Sequence, residues 1–456
     1  MLKCMIRTGM AATLALWVAG DAALTVGADL PPVKEKRDWR DWFAVPDFQA
    51  LPANIEVLSK NTVSGVTTTE FYMAGASFNG KPTKIYAFYS RPEKRGKYPA
   101  VLELHGAGYG KLSPEAAIGC AKNGFCCLAI EWFGQTPKGQ TPRQPPFSPY
   151  DSPGKMAVKL PGQKNQPRLA VDPKLDGIRN GVMFARRATM FLKSRPEVDS
   201  ERLCISGKSA GAHLTLLVLG VEPSFKAAAA KYGCGFIRDL PGYFGGYFGP
   251  LVLCRKEGQD AWLAALDPKH SIANYQAKVL LVSGTDDIFF WMPVVLKTYR
   301  AIPTDKRLLM LPNDNHSQVG NWQMSLRYFQ AAFGQAPAWP IVEAPSAKTE
   351  GGKLTLWVKA LGCSGTAKVS FWIKRMPRAI YWFGTRAKGT PGENVKWNEV
   401  RAAQIGKPWV AVIPAPDKDE QIVAYALVED TTGVKVSSDT VEVPLYPKWR
   451  GLSETP

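Results

Sequence analysis

Arg202-Leu203-Cys204-Ile205-Ser206-Gly207-Lys208-Ser209-Ala210-Gly211 is the stretch on which the reading of this chain turns. A strand-like run leads without a break into Gly-x-Ser-x-Gly. A strand that passes straight into a helix through this pattern is a nucleophile elbow. Its two glycines permit a turn too tight for residues that carry a Cβ. The turn lifts the Ser209 hydroxyl above the sheet edge, at the N-terminus of the following helix. A serine so presented needs a base, an acid to orient that base, and an oxyanion hole.

Outward from the elbow, continuous apolar runs alternate with helical spacing. Upstream, Tyr98–Leu104 ends in His105-Gly106-Ala107-Gly108. A helix over Ser113–Lys122 follows, with Ser113 as N-cap, and then a second apolar run, Phe125–Trp132. Helical periodicity returns over Asp176–Ser194 through Ile178, Val182, Ala185, Thr189 and Leu192. Downstream, the order is helix Ala210–Leu219, strand Ala227–Tyr232, a Gly/Tyr/Phe-rich loop at 242–249, strand Val279–Ser283, helix Val294–Arg300, strand Arg307–Leu311 and helix Trp322–Phe333. Unbroken apolar runs suit parallel strands covered on both faces. The alternation predicts a doubly wound α/β sheet. Two further strand-like runs, Thr67–Ala74 and Thr83–Ser90, flank a turn at Asn79-Gly80.

The pattern changes at the Pro/Ala-rich segment Pro337–Ala347. Beyond it short strands recur: Lys353–Val358, Val369–Ile373, Ile380–Phe383, Trp409–Ile413, Ile422–Val428 and Val441–Pro444. These predict an all-β, immunoglobulin-like sandwich. The expected organisation is a signal peptide over 1–28, a catalytic α/β domain with its N-terminal leader over 29–336, a linker over 337–347, a β-sandwich over 348–446 and a tail over 447–456. Gln135–Ala170, rich in Pro, Gly, Gln and Lys, reads as an insertion near the mouth of the site.

Composition bounds the function. The chain has 456 residues, 45% hydrophobic and 21% charged, which is ordinary globular composition. Lys3 and Arg7, the apolar run Met10–Gly20 and the small residues Val26-Gly27-Ala28 form a secretory leader, so a periplasmic or extracellular location is expected. No later apolar run is long enough to span a bilayer, so stable membrane insertion is not expected. A net charge of +18 is spread along the chain. It reads as a solvated basic surface, or as attraction for a polyanion such as an acidic polysaccharide. No nucleic-acid motif accompanies it. Cys126, Cys127 and Cys204 lie in apolar runs and read as core residues, whereas Cys234 and Cys254 could pair in an oxidising compartment. No Cys/His spacing suggests zinc, and neither a metal nor a cofactor is expected. The sequence leaves oligomeric state open.

Four histidines are available as the base: His105, His213, His270 and His316. In the order Ser, acid, His, the base follows the last strand of the α/β domain. His316, in Asn313-Asp314-Asn315-His316, stands there. His213 comes too early and is expected to pack beneath the elbow, and His270 reads as a loop residue. The acid follows strand Val279–Ser283, in Gly284-Thr285-Asp286-Asp287. Gly-x-x-Asp spacing favours Asp287, with Asp286 as the alternative. The oxyanion donors are expected to be the Ala210 N–H, at the helix N-terminus, and the Ala107 N–H, in the glycine-rich loop after Leu104. His105 is expected to structure that loop. Lys208 could be read as part of a Ser–Lys pair, but its neighbour position in the elbow points it away from the serine. The aromatics Trp132, Phe133, Phe289, Phe290 and Trp291 follow strand ends near these loops. Of these, Trp132 and Phe133, with Gln135, are candidate substrate contacts.

Taken together, these residues resemble the acetyl xylan esterase and cephalosporin C deacetylase family and the related dienelactone-hydrolase-like α/β-hydrolases. The resemblance spans roughly Tyr98 to Phe333. It rests on Tyr98-Pro99-Ala100-Val101 leading into His105-Gly106, on Phe133-Gly134-Gln135, on Pro196-Glu197-Val198-Asp199, on Gly207–Gly211, on Gly284-x-x-Asp287 and on His316. It implies a serine esterase that removes acetyl or other short acyl groups from carbohydrate. The chain departs from the family pattern at Phe133, where the family has Arg, at Ser317, where it has Glu, and at Ala107, where it has an aromatic residue. Two alternatives stand beside it: a serine peptidase of prolyl-oligopeptidase type, and an inactive hydrolase-like glycan-binding protein.

Overall fold

The structure is a computed structural model. It describes residues 39–44, 53–76, 83–106, 112–132, 177–240, 256–287, 289–318, 322–365, 368–377 and 395–444. The expected leader over 1–28, the turn at 79–80, the insertion over 135–170, the loop at 242–249 and the strand over 380–383 lie outside the described residues.

Three antiparallel strands come first: β1 (Glu56–Val63), β2 (Val66–Ala74) and β3 (Lys84–Pro92). A parallel set follows: β4 (Tyr98–Leu104), β5 (Cys126–Ile130), β6 (Val198–Lys208), β7 (Phe225–Lys231), β8 (Lys278–Gly284) and β9 (Lys306–Leu311). The helices between and after them are α1 (Glu115–Lys122), α2 (Gly177–Lys193), α3 (Ala210–Val221), α4 (Lys256–Leu266), α5 (Met292–Ala301) and α6 (Trp322–Ala332). In space the strands run β1-β2-β3-β5-β4-β6-β7-β8-β9. From β5 to β9 every pairing is parallel, and β3 joins β5 antiparallel.

Burial explains the apolar runs. Every residue of β5 is buried, as a strand between two helical layers requires. On β6, the Ser206 hydroxyl meets Ser325 of α6 at 3.1 Å, whereas a Cβ on the next residue, Gly207, would strike Gly211 and Thr215 of α3. Successive residues therefore face opposite layers, and β6 carries helix on both sides.

Among the described residues, the elements of the C-terminal portion are all strands: β10 (Ile341–Val342), β11 (Ser346–Glu350), β12 (Lys353–Val358), β13 (Ala360–Leu361), β14 (Lys368–Pro377), β15 (Asn398–Arg401), β16 (Ala403–Gln404), β17 (Trp409–Pro414), β18 (Glu420–Glu429) and β19 (Lys435–Val443). These strands form a small sheet β11-β12-β17-β16, a pair β10-β13, and a run β19-β18-β14-β15. That last run is not a separate sheet. Ser437 of β19 pairs with Leu308 of β9, so the main sheet continues through β19 to β15. Side chains reinforce the join. Ser437 Oγ accepts the Met310 N–H at 2.9 Å, and Arg300 grips Asp439 through two nitrogens at 2.6 and 2.7 Å. Residues 337–347, expected as a linker, contain β10 and the start of β11. Trp39–Pro456 forms one compact unit.

Candidate active site

Ser209 occupies the single residue between β6 and α3, at φ 56 and ψ −122. Local packing forces this turn. A Cβ on Gly207 would collide with the Gly211 carbonyl, and one on Gly211 with the carbonyls of Leu104 and His105. The Ser209 N–H donates to the Lys231 carbonyl at 2.8 Å. Its own carbonyl accepts from the N–H groups of Ala212 and His213 at 2.8 and 3.1 Å. The serine is thus held at both ends of its peptide, with its hydroxyl at the head of a helix that is buried from Ala210 to Gly220.

His316 lies in the loop after β9, at φ 97. Its Nε2 stands 3.0 Å from Ser209 Oγ and its Nδ1 2.9 Å from Asp287 Oδ2. The Asp287 side chain is fully buried. Asp287 Oδ1 accepts the N–H groups of Phe289 and Phe290 at 2.8 and 3.0 Å, which fixes the carboxylate's aim. A carboxylate can only accept, so Nδ1 carries the proton and Nε2 presents its lone pair to the serine hydroxyl. Three rings enclose the imidazole: Tyr232 at 4.5 Å, Phe289 edge-on at 4.9 Å and Phe290 stacked at 6.0 Å between centroids.

The two aspartates part company here. Asp286 turns away from the histidine. Its Oδ2 accepts from Thr285 Oγ1 at 3.0 Å, and its Oδ1 faces Lys374 Nζ at 3.4 Å. The arrangement that spacing left open is therefore decided by which side chain reaches Nδ1.

Sequence reasoning missed Asp314, although it lies two residues before His316. It is buried, and its Oδ1 takes the N–H groups of Ser317 and Gln318 at 2.9 and 3.1 Å. The Tyr232 hydroxyl donates to its Oδ2. Burial works against charge on Asp314, but these donors outweigh it and hold its carboxyl below the usual carboxylate range. Asp314 thereby ties the loop that carries His316 to the ring that packs on it. An acid near a loop histidine was the available signal, but its direction was not.

His105 directly follows β4, at the start of the glycine-rich stretch expected to supply an oxyanion donor. Its Nε2 is 3.0 Å from Glu131 Oε1 and its Nδ1 2.8 Å from the Gly106 carbonyl. Both ring nitrogens face acceptors, which suits the doubly protonated ring. Burial opposes that charge, but the Glu131 carboxylate prevails and raises the His105 pKa above the ordinary histidine value. Trp132, expected as a substrate contact, is 2% exposed. Its indole N–H donates to the His105 carbonyl at 2.8 Å and its ring lies 5.7 Å from the imidazole, so it braces this loop from within. Phe290 is likewise fully buried, while Phe289 and Trp291 are partly exposed. Ala107, Phe133 and Gln135 lie outside the described residues.

The other histidines and Lys208 stand apart from the serine's partners. His213 is buried on α3, donates from Nε2 to the Leu266 carbonyl at 3.0 Å and stacks on Trp262. Burial drives its pKa down to about 3. His270 ends a short 3-10 turn over Pro268–His270 and is exposed. The Lys208 ammonium lies 5.8 Å from the centre of the Tyr232 ring. Cys234 is buried, and Cys254 lies outside the described residues. Among the described residues, no group of three or more His, Cys, Asp or Glu side chains could hold a metal ion, and no helix is long and apolar enough to cross a membrane.

A mixed sheet in this strand order, a serine between strand and helix, and an acid and a histidine after two later strands define an α/β-hydrolase. Residues 44–240 match the acetyl xylan esterase (AXE1) family, and residues 185–333 match the prolyl oligopeptidase family. Over residues 44–240 the chain is thus similar to the acetyl xylan esterase family, as its motifs suggest. It is 28% identical over 225 residues to an acetyl esterase, Axe7A, of Xylanibacter ruminicola, a match that covers 48% of each protein. The chain therefore spans about half the length of that curated relative. Its fold is similar to acetyl xylan esterase 1 from Thermoanaerobacterium sp. JW/SL YS485 (TM-score 0.52, 18% identity, 65% of this chain and 92% of the other). It is also similar to the acetyl xylan esterase from Paenibacillus sp. R4 (TM-score 0.52, 19% identity, 66% and 96%).

Proposed function

We propose that this protein is a serine esterase that removes acetyl or other short acyl groups from carbohydrate esters of the xylan type. The observation that carries the reading is the continuous line Ser209 Oγ, His316 Nε2, His316 Nδ1, Asp287 Oδ2, with contacts of 3.0 and 2.9 Å. Ser209 attacks the ester carbonyl while His316 takes its proton. The proton then passes to the departing sugar hydroxyl, leaving an acyl-enzyme. Water, deprotonated by His316, releases the acid and restores the serine. Asp287 holds the imidazole in the required tautomer and stabilises its cation. The Ala210 N–H, at the head of α3, supplies one oxyanion donor, and the Ala107 N–H is assigned the other.

Ser209→Ala is expected to lower kcat on p-nitrophenyl acetate by at least roughly 10⁴-fold with unchanged circular dichroism. Activity retained in that variant refutes the assignment. Acetate release from acetylated xylan tests the substrate class.

The match of residues 185–333 to the prolyl oligopeptidase family favours a second reading, a serine peptidase. The same triad chemistry serves an amide. Cleavage of short peptide substrates faster than acetylated xylan selects it. Residues 1–28 are proposed as a secretory leader that directs the protein to the periplasm or the exterior. N-terminal sequencing of the protein from that compartment should begin near Asp29.

A further inference from the structure

The loops that carry Asp287 and His316 are met by the Lys374 side chain and by the Trp397 backbone, both from the C-terminal portion. Lys374 projects from β14, is 3% exposed, and places its ammonium 3.4 Å from Asp286 Oδ1 and 6.0 Å from the centre of the Trp397 ring. Trp397, two positions before Glu399 of β15, clasps the histidine loop in both directions. Its N–H donates to Asn313 Oδ1 at 2.8 Å, and Asn313 Nδ2 donates to its carbonyl at 3.0 Å. Thr285 closes the circuit: its Oγ1 accepts the Asn313 N–H at 2.8 Å and donates to Asp286 Oδ2 at 3.0 Å. An unbroken polar chain therefore runs from Lys374 through Asp286, Thr285 and Asn313 to Trp397. One end lies on β14 and the other immediately before β15.

Adjacent carboxylates at a base pose an electrostatic problem. A second carboxylate charge next to that of Asp287 would add to the stabilisation of the imidazolium that forms as His316 takes the serine proton. We propose that Lys374 is a positioning residue of the active site: it neutralises Asp286, so that the charge of Asp287 acts on His316 without that of its neighbour. The proposal rests on the esterase reading of Ser209, His316 and Asp287. The other groups around the imidazole leave this balance in place. Asp314 keeps its charge under hydrogen bonds from Tyr232, Ser317 and Gln318 and is the same in wild type and variants, Lys208 lies 5.8 Å from the centre of the Tyr232 ring, and Phe289 and Phe290 are uncharged. Cys234, near Asp287, is kept protonated by burial. Tyr425, near Asp286, is buried too and held neutral.

The test is the acid limb of kcat/KM against pH for p-nitrophenyl acetate, which reports the base in the free enzyme. In Lys374→Met, Asp286 is left unbalanced, the His316 cation is favoured, and the limb should move to higher pH by roughly half to one unit. In Asp286→Asn, Lys374 is left unbalanced and the limb should move to lower pH. Lys374→Arg should keep the wild-type limb, and the double variant Lys374→Met/Asp286→Asn should return close to it. A loss of stability alone would lower the rate without moving the limb in opposite directions. Opposed displacements support the proposal. Limbs that stay in place, or move the same way, overturn it. Should Lys374→Met fail to fold, Asp286→Asn and Lys374→Arg decide the matter, the first by a downward displacement and the second by none. Activity of the wild type that depends on Ser209, together with unmoved limbs, refutes the role of Lys374 while leaving the esterase reading intact.

Discussion

Ser209 sits at φ 56 and ψ −122, a region that residues with a Cβ enter only when their surroundings compel it. The compulsion comes from Gly207 and Gly211, whose bare Cα atoms let α3 close against β6 and the end of β4. Gly211→Ala is accordingly expected to cost several kcal/mol of stability and to abolish turnover, as read by urea unfolding and ester hydrolysis. Tyr232→Phe is a finer change. It keeps the ring on His316 but removes a donor from buried Asp314. About 1–3 kcal/mol should be lost. Asp314 has its carboxyl held low in the folded state, so it contributes stability above the ordinary carboxylate range and loses it as pH falls through its folded value. In Tyr232→Phe that folded value rises, so acid unfolding should begin at higher pH than in wild type. At this scale Ser209 and His316 were legible, because each has a motif or a unique place in chain order. Gly-x-x-Asp spacing favoured Asp287 but left Asp286 as the alternative, since one residue of offset in a turn reverses which side chain reaches Nδ1.

Among the elements, α3 shows how much the site depends on burial. It carries no charged residue and is covered from Ala210 to Gly220, so its N-terminus is fixed by packing on all sides. That packing also encloses His213, whose pKa is pushed down to about 3. The unfolded chain binds a proton near pH 6.5 that the folded state refuses, so stability falls as pH drops from about 6.5 toward 3. Urea midpoints measured across that range should decline, and His213→Gln should flatten the decline. His105 has the opposite sign. Its raised pKa contributes stability that is complete below the ordinary histidine value and is lost as pH rises through the folded value. Elements with strong periodicity were legible almost to the residue, as with α2 (Gly177–Lys193) and β4 (Tyr98–Leu104). Strand β1 escaped notice because nearly all of it is exposed and no apolar alternation marks it. The predicted strand Val441–Pro444 was too short at its start. Its true beginning, Lys435-Val436-Ser437-Ser438, is polar and becomes strand through pairing with β18 and β9.

Across the whole molecule, the continuation of the sheet from β9 through β19 to β15 binds the C-terminal strands to the α/β portion. Arg327 adds a bond to the Thr432 carbonyl at 2.7 Å, beside the Arg300 and Ser437 contacts. The two portions should therefore unfold together, giving a single calorimetric transition. Two resolved transitions would show that the join is weak. The amino-acid sequence by itself determined the doubly wound α/β layout, the elbow and the order of serine, acid and histidine, because these depend on local periodicity, turn chemistry and chain order. Only the tertiary structure decided which aspartate meets His316, that Asp314 and Tyr232 secure its loop, that Trp132 is buried and that Lys374 faces Asp286. Those contacts join residues from about 30 to nearly 90 positions apart, and no short-range pattern encodes which distant side chains a folded sheet edge will bring face to face.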